Sequence, residues 1–230
     1  MKRFFSAIAM MLTVLSASAQ SEQGEFSFIP RLGVNLCSIT DHYANFEQST
    51  DSKAKGKVGL FAGVDLQYQA FEKTAFSVGL FYRRGGCKFE ETDLSGAIPG
   101  SYAVWSNCHQ DIDFIDIPIM AHQYVWKGLS INAGIQPTFL SNNNFHGEKR
   151  TVIVHKDESY DYKSDFQDQN VEDGGLSSAD FYIPVGISYE HMRVVLDVRY
   201  DIPVTKIYKK GTDSENSRDR AIVFSVGYKL

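Results

Sequence analysis

Apolar residues alternate with small or polar residues along most of the chain. Residues 57–86 show the pattern clearly, because two alternating runs flank the tight turn Glu72-Lys73. Successive side chains of an extended strand point to opposite faces, so each run has one apolar and one polar face. Both runs are about twice the usual strand length of about 5–6 residues. The pattern predicts a hairpin of two long strands.

The same alternation recurs until eight strands are predicted. They cover 26–36, 58–68, 76–82, 110–126, 129–139, 181–189, 194–202 and 222–230. Short turns at Glu72-Lys73, Lys127-Gly128 and His191-Met192 alternate with long polar segments near 39–56, 91–109, 141–178 and 206–219. Short turns on one side and long loops on the other are the layout of an outer-membrane barrel.

The composition of the two faces indicates which one meets lipid. A soluble exported lipocalin-like barrel or a sandwich would turn its polar face to water and carry many Lys, Glu and Thr there. Here the polar face carries mainly Gly, Ser, Asn and Gln, and the apolar face is almost free of charge. A charge facing lipid at mid-bilayer costs about 2–4 kcal/mol. We therefore predict an all-β, eight-stranded antiparallel up-and-down transmembrane β-barrel with short periplasmic turns, long extracellular loops and outer-membrane lipid around it.

Aromatic residues lie near both ends of the apolar face, as in the girdles of membrane barrels. The predicted girdle toward the short turns contains Phe26, Tyr68, Phe76, Tyr189 and Tyr228. The predicted girdle toward the long loops contains Tyr82, Phe139, Phe181 and Tyr200.

Charged residues of the polar face are expected inside the barrel. They are Arg31, Asp65, Arg83, Asp116, Asp197, Arg199, Asp201 and Lys229. Eight strands leave an interior that side chains just fill, and an unpaired buried charge is costly. We expect these groups to pair across the lumen and to leave no open pore, although the same groups would also suit a proton or ion path.

The N-terminus and the overall composition narrow the class of protein. Residues 1–19 combine a basic start, an apolar run and small residues before Gln20, the pattern of a secretory signal peptide. Residues 20–230 are then expected to form one outer-membrane β-barrel domain. A hydrophobic fraction of 43% excludes disorder by composition, and the net charge of −5 gives no indication of a nucleic-acid partner.

Three cysteines occur in this exported chain, where disulfides can persist. Cys87 closes the third predicted strand and Cys108 stands just before the fourth, across one long segment. Adjacent strands could bring the two Cα atoms within the roughly 4.4–6.8 Å that a disulfide needs. Cys87–Cys108 is therefore a candidate disulfide, with Cys37 free.

Candidate chemistry is sparse. The six histidines form neither an i, i+4 pair nor a Cys/His cluster, so no metal site, cofactor or catalytic residue is assigned. An enzyme that modifies lipid or peptide remains an alternative, because several histidines fall in the long segments near Ser and Asp. The acidic stretch 157–175 could hold Ca²⁺ through Asp161, Asp165, Asp168, Glu172 and Asp173, but the EF-hand spacing is absent and we favour a solvated extracellular loop.

The sequence resembles the PorT-like outer-membrane β-barrel family of the Bacteroidetes group. The stretch "IDIPIMAHQY" resembles that family's recurring "LEIPLLLKY" strand, and "AGIQPTF" its "aGp…" strand. Asp116 stands where the family often has Glu, and His122 where Lys is common. The resemblance implies an eight-stranded outer-membrane barrel, with some members tied to secretion and gliding machinery. We therefore expect a structural or interaction component of the envelope that binds an envelope protein through its extracellular loops. An accessory of a secretion complex would be one such component.

Overall fold

The computed structural model of the chain describes residues 22–40, 43–44, 52–93, 101–155, 157, 159–170, 175–209 and 216–230. The predicted signal peptide, residues 1–19, lies outside the described residues. No helix of this described part is long and apolar enough to cross a membrane.

The described chain folds into antiparallel strands that close into a ring of eight. The strands are β1 (Phe26–Thr40), β2 (Tyr43–Ala44), β3 (Ser52–Lys55), β4 (Lys57–Phe71), β5 (Thr74–Phe89), β6 (Thr92–Asp93), β7 (Ser101–Asp116), β8 (Ile119–Trp126), β9 (Leu129–Val154), β10 (Tyr160–Asn170), β11 (Ala179–His191), β12 (Val194–Pro203) and β13 (Arg218–Tyr228). The predicted fold class is confirmed.

The ring runs β1–β4–β5–β7/β8–β9–β11–β12–β13 and returns to β1. β7 and β8 occupy one position in it, because both pair with β5 on one side and with β9 on the other. They are separated at Ile117-Pro118, where proline has no N–H to donate. The break stays tied into the ring, since Gly79 N–H donates to Pro118 O (2.9 Å) and Ile117 N–H to Pro137 O (2.9 Å).

Two-residue turns join the strands at one end of the ring. Two of them lie where the sequence predicts them, and the third lies one residue later, at Met192-Arg193. At Lys127-Gly128 both residues have positive φ (23° and 84°), as a type I′ hairpin turn requires. A side chain at position 128 would also place its Cβ 2.1 Å from the Glu190 carbonyl oxygen, so only glycine fits there.

At the opposite end, much of the chain that was expected to be loop is strand. Residues 101–109 belong to β7, and residues 141–154 and 160–170 form a hairpin of β9 and β10. The run Thr-Val-Ile-Val at 151–154 is β-branched, which favours extended backbone. We give the name raised sheet to three paired segments: β10, residues 101–112 of β7 and residues 143–154 of β9. Its central strand extends roughly 40 Å past the ring.

The two faces of the strands change character along the molecule. Where the ring is continuous, outward side chains are apolar and inward ones polar, which defines the barrel band. Past Tyr82 on β5, Ile115 on β7 and Phe139 on β9, the outward side chains become polar. The inward side chains there form the upper core, whose buried members are Ile39, Cys87, Phe89, Trp105, Cys108, Ile112, Phe114, Leu176, Ile207 and Tyr208.

Candidate functional site

The end of the lumen nearest the short turns is closed by a buried ion pair. Lys229 Nζ lies 2.7 Å from Glu190 Oε1, and both side chains are almost fully buried. The other carboxylate oxygen of Glu190 accepts a hydrogen bond from the Tyr124 hydroxyl (2.9 Å), which accepts one from Gln67 Nε2 (3.1 Å). These contacts connect β4, β8 and β11 with the residue that directly follows β13.

The middle of the lumen holds a second charge cluster. Arg31 Nε lies 2.7 Å from Asp65 Oδ2, and Arg31 Nη1 lies 3.8 Å from Asp197 Oδ2. Asn132 Nδ2 donates to the same Asp197 oxygen (3.3 Å). His122 Nδ1 is 2.9 Å from Asn132 Oδ1, so this cluster continues as a hydrogen-bond network into the opposite wall.

The end of the lumen nearest the raised sheet is organised around Arg83, which is fully buried. Its Nε lies 2.8 Å from Asp116 and its Nη1 lies 2.8 Å from Asp219. The guanidinium also sits 4.4 Å from the centre of the Phe114 ring, a cation–π distance. The centre of the Tyr182 ring lies 5.5 Å from it. Two carboxylates and two rings therefore surround this cation where the polar lumen meets the upper core.

All eight charges that the sequence assigned to the lumen are buried there, and each belongs to an ion pair. The remaining pair is Arg199 with Asp201 at 3.0 Å. Sequence reasoning missed two acidic partners, Glu190 and Asp219. Both could have been found by extending the alternation, because Glu190 follows outward Tyr189 and Asp219 stands two positions before inward Ala221.

The nine predicted girdle aromatics all lie on the outer face. Tyr82 and Tyr189 are partly exposed, and the other seven are exposed. Phe26, Tyr68 and Phe76 are cross-strand neighbours near the short turns, and the rings of Phe26 and Tyr68 are 4.6 Å apart. Tyr82 also donates a hydrogen bond to Asp113 Oδ1 (2.7 Å), so its hydroxyl points toward the polar end of the molecule.

The disulfide prediction is wrong in this structure, since all three cysteines are free and buried. Cys87 pairs with Gln110 on β7 rather than with Cys108, which stands two residues away. Such diagonal neighbours are about 7–8 Å apart, beyond the reach of a disulfide. Both thiols instead pack in the upper core, where burial raises the pKa of Cys87 to about 12 and also raises that of Cys108.

A polar cluster lies on the outer face just past the barrel band, where β5, β7 and β9 run side by side. His109 on β7 stands directly opposite His146 on β9, and their rings stack at 4.9 Å with an interplanar angle of 24°. Asp111 follows two positions after His109, on the same face of β7. One potential ligand atom from each of the three residues lies within 4.8 Å of the other two. We call His109, Asp111 and His146 the His–Asp cluster.

Neighbouring charges border the His–Asp cluster. Lys57 Nζ forms an ion pair with Asp111, and Arg84 forms a second one with Asp113 at 2.8 Å. Lys88 is the cross-strand neighbour of His109 on β5. Burial lowers the pKa of His109, the hydrogen bond to the Asn107 carbonyl opposes this, and the nearby Lys57, His146 and Lys88 add to the lowering.

The His–Asp cluster was missed by sequence reasoning, which assigned no metal ligand. The segment His109-Gln110-Asp111 carried a usable signal, because the first and third residues of a strand share a face. Which residue stands opposite was not readable, since the register of β7 against β9 shifts at a bulge between Ser106 and His109.

The acidic stretch lies on and around β10. Asp161 pairs with His155 at 2.9 Å and Asp165 with Lys163 at 3.3 Å, while the side chains of Asp168, Glu172 and Asp173 are outside the described residues. On the other face of β10, Tyr162 and Phe166 are 61% and 76% exposed. By register with β9, these aromatics share their face with His146.

The family described as "Outer membrane protein beta-barrel domain" matches residues 18–209 of the chain. The search of curated proteins found no match to this chain.

Three solved structures are among those similar to this chain. Ail, the attachment invasion locus protein of Yersinia pestis, solved with the heparin analogue sucrose octasulfate, is 10% identical with a TM-score of 0.44, over 91% of this chain and 100% of that one. OprG from Pseudomonas aeruginosa is 12% identical with a TM-score of 0.38, over 93% and 99%. The Neisserial surface protein A is 12% identical with a TM-score of 0.37, over 88% and 96%.

Proposed function

Because the chain belongs to the family of outer membrane protein beta-barrel domains, we propose that this small outer-membrane barrel is a structural and interaction component of the envelope. In this proposal it works through its raised sheet on the extracellular side and does not conduct solutes. The family and the outward apolar band place the protein in the outer membrane and remove the soluble lipocalin-like alternative.

The lumen supports the part of the proposal that concerns transport. Ion pairs centred on Lys229, Arg31, Arg199 and Arg83 follow one another from the short-turn end to the upper core. An aqueous channel requires a wider barrel, since eight strands leave room only for side chains. Above these pairs, the apolar upper core adds a layer of packed side chains.

The observation that carries the interaction role is the exposed aromatic pair Tyr162 and Phe166. A strand in water normally presents polar groups, and large exposed aromatics on one face are typical of binding surfaces. Both residues stand on β10, which pairs with the extension of the barrel strand β9, and binding residues often occur on segments that a scaffold holds in position. An envelope protein, for example a secretion-complex component, is the partner class that we propose.

Site-specific photocrosslinking in cells tests the interaction role. A photoreactive amino acid is placed at position 162 or 166, and in separate strains at 163 or 165. The latter positions lie on the same strand and are exposed, but they face the opposite way. We expect a discrete protein adduct from positions 162 and 166 and none from 163 and 165. Equal adducts from both faces, or none from either, would contradict the proposed binding face.

Conductance tests the transport part separately. The purified protein is reconstituted in a planar bilayer, and the current is recorded over a range of voltages. We expect no stable single-channel steps, because charged side chains pair across the lumen. Stable steps from the folded protein would show that solutes pass and would remove the filled-lumen account.

A further inference from the structure

The geometry points to a metal site: we propose that His109, Asp111 and His146 bind one divalent transition-metal ion, with Zn²⁺ the ion that this ligand set suits best. The site would stand on the outer face, where the raised sheet leaves the barrel band. This proposal is independent of the proposed function, because a barrel without any protein partner would still bind the metal.

The three side chains come from two strands whose hydrogen bonds fix their positions. His109 and His146 are direct cross-strand partners, and Asp111 shares the face of His109. The candidate ligand atoms already lie within 4.8 Å of one another, and stacking of the rings at 4.9 Å holds both imidazoles side by side. Small side-chain rotations would bring these atoms to the Zn–N and Zn–O distances of about 2.0–2.2 Å.

The tautomer of His109 leaves one ring nitrogen able to bind a metal ion. Its Nδ1 lies 3.0 Å from the carbonyl oxygen of Asn107, and a carbonyl can only accept a hydrogen bond. Nδ1 therefore carries the proton, and Nε2 keeps the lone pair that a metal needs. Metal-binding histidines commonly donate their other N–H to a carbonyl or carboxylate, which fixes the orientation of the ring.

The backbone of β7 is shaped to make this contact. Asn107 has a positive φ of 53° and stands in the bulge between Ser106 and His109. A bulge redirects side chains, and bulges are frequent next to functional sites. Here the bulge places the Asn107 carbonyl beside the ring of the residue two positions later.

The local charges identify a competitor for the metal. Lys57 Nζ forms an ion pair with the Asp111 carboxylate, so a bound metal ion would have to displace this ammonium group. In this exchange the Lys57 ammonium group, with one positive charge, is replaced beside Asp111 by a divalent ion. That ion is also coordinated by the two imidazoles. Removing the Lys57 charge should therefore strengthen metal binding, which a merely structural cluster would not do.

The ligand types select the class of ion. Imidazole nitrogen suits Zn²⁺, Cu²⁺ and Ni²⁺, whereas Ca²⁺ and Mg²⁺ take oxygen ligands. Two histidines and one carboxylate are also a known three-ligand set for zinc, with a fourth position left for water or another group.

Calorimetric titration of the untagged protein in detergent with Zn²⁺ tests the site. We expect one ion per chain, at least 10-fold weaker binding in His109→Ala and in His146→Ala, and several-fold tighter binding in Lys57→Met. Folding of each variant is checked by the mobility difference between heated and unheated samples on a gel. Co²⁺ provides a second readout, through a visible absorption band that should disappear in both histidine variants.

His155→Ala is the matched control. His155 is an exposed histidine paired with a carboxylate, Asp161, at 2.9 Å, and it should leave Zn²⁺ binding unchanged. A large excess of Ca²⁺ should not displace Zn²⁺. The proposal is overturned if the folded protein binds no Zn²⁺, or if binding survives in His146→Ala while His155→Ala removes it.

Discussion

Strands β5, β7 and β9 run from the barrel band into the region beyond it, which holds the upper core and the raised sheet, and the polarity of their two faces is exchanged between these regions. On β5, Leu80 points outward into the band, whereas Lys88, on the same face, points outward past it. Inward positions change in the reverse sense, from charged Arg83 to apolar Cys87 and Phe89. The face parity continues and only the hydrophobicity is exchanged, so the change marks where lipid ends and water begins.

Each interior is consequently stabilised by a different interaction. Burial of apolar side chains in the lumen cannot stabilise the barrel band, because its apolar side chains face lipid. Its lumen is instead stabilised by ion pairs and hydrogen bonds. The upper core is stabilised as in a water-soluble protein, by removing apolar side chains from water. Substitutions should therefore have different effects in the two regions.

The largest effect is expected from removing a lumen cation. Arg83→Met leaves Asp116 and Asp219 buried without their partner, and breaking such a pair costs about 3–5 kcal/mol. The free energy of unfolding in urea, measured in lipid vesicles, checks this. Substituting both carboxylates as well, with Asp116→Asn and Asp219→Asn, should recover most of the loss. If Arg83→Met unfolds like the unchanged protein, the lumen charges do not hold the band together.

A charge on the lipid face is expected to have the next largest effect. Leu80→Arg places a charge against acyl chains, at a cost of about 2–4 kcal/mol in the free energy of unfolding. The comparison is Lys88→Leu, on the same face of the same strand beyond the band, which should change it by less than about 0.5 kcal/mol. Similar costs at both positions would mean that the boundary does not lie between them.

A conservative truncation sharpens the comparison further. Ile112 is fully buried in the upper core, so Ile112→Val should cost about 0.5–1.5 kcal/mol through the lost contacts. Ile135 is 56% exposed on the lipid face, where flexible acyl chains can refill the space. For Ile135→Val we expect less than about 0.5 kcal/mol. The same unfolding measurement decides whether the two sites differ.

The smallest expected change in stability comes from ionisation of the buried cysteine thiols, which alkylation can measure directly. The pKa of Cys87 is raised from its ordinary 9.0 to about 12 by burial, so its thiolate is scarce in the folded protein at pH 9. A raised thiol pKa contributes stability that is present below pH 9.0 and is lost as pH rises toward 12. Iodoacetamide at pH 9 should label no cysteine in the folded protein and all three after denaturation without reductant. A single labelled cysteine after denaturation would instead indicate a disulfide.

The alternation of the sequence was sufficient for the ring, because each lipid-facing position must be apolar and parity then assigns the rest. Arg83 and Asp116 were placed in the lumen on this basis, and they pair there. The raised sheet was not predicted, since its outward positions are as polar as a loop and its β-branched run at 151–154 was the main signal for strand.

The wrong disulfide in the upper core and the missed His–Asp cluster share one cause, which is the register of β7 with its neighbouring strands. The distance between Cys87 and Cys108, and the position of His146 opposite His109, depend on how β7 lies beside its neighbours. The bulge near Asn107 shifts the alignment of β7 with β9, and no pattern within one strand records the alignment of β7 with either neighbour.

The seam between β1 and β13 has a consequence for biogenesis. Leu230 exchanges two backbone hydrogen bonds with Phe28, and pairing continues along the seam to Thr40 and Arg218. Until the last of these strands is available, β1 and β12 would each leave a row of unpaired amides and carbonyls in hydrocarbon. Strand-by-strand insertion into bare lipid would therefore be costly, and the β1–β13 contact is the one that removes the last open edges of the sheet from hydrocarbon.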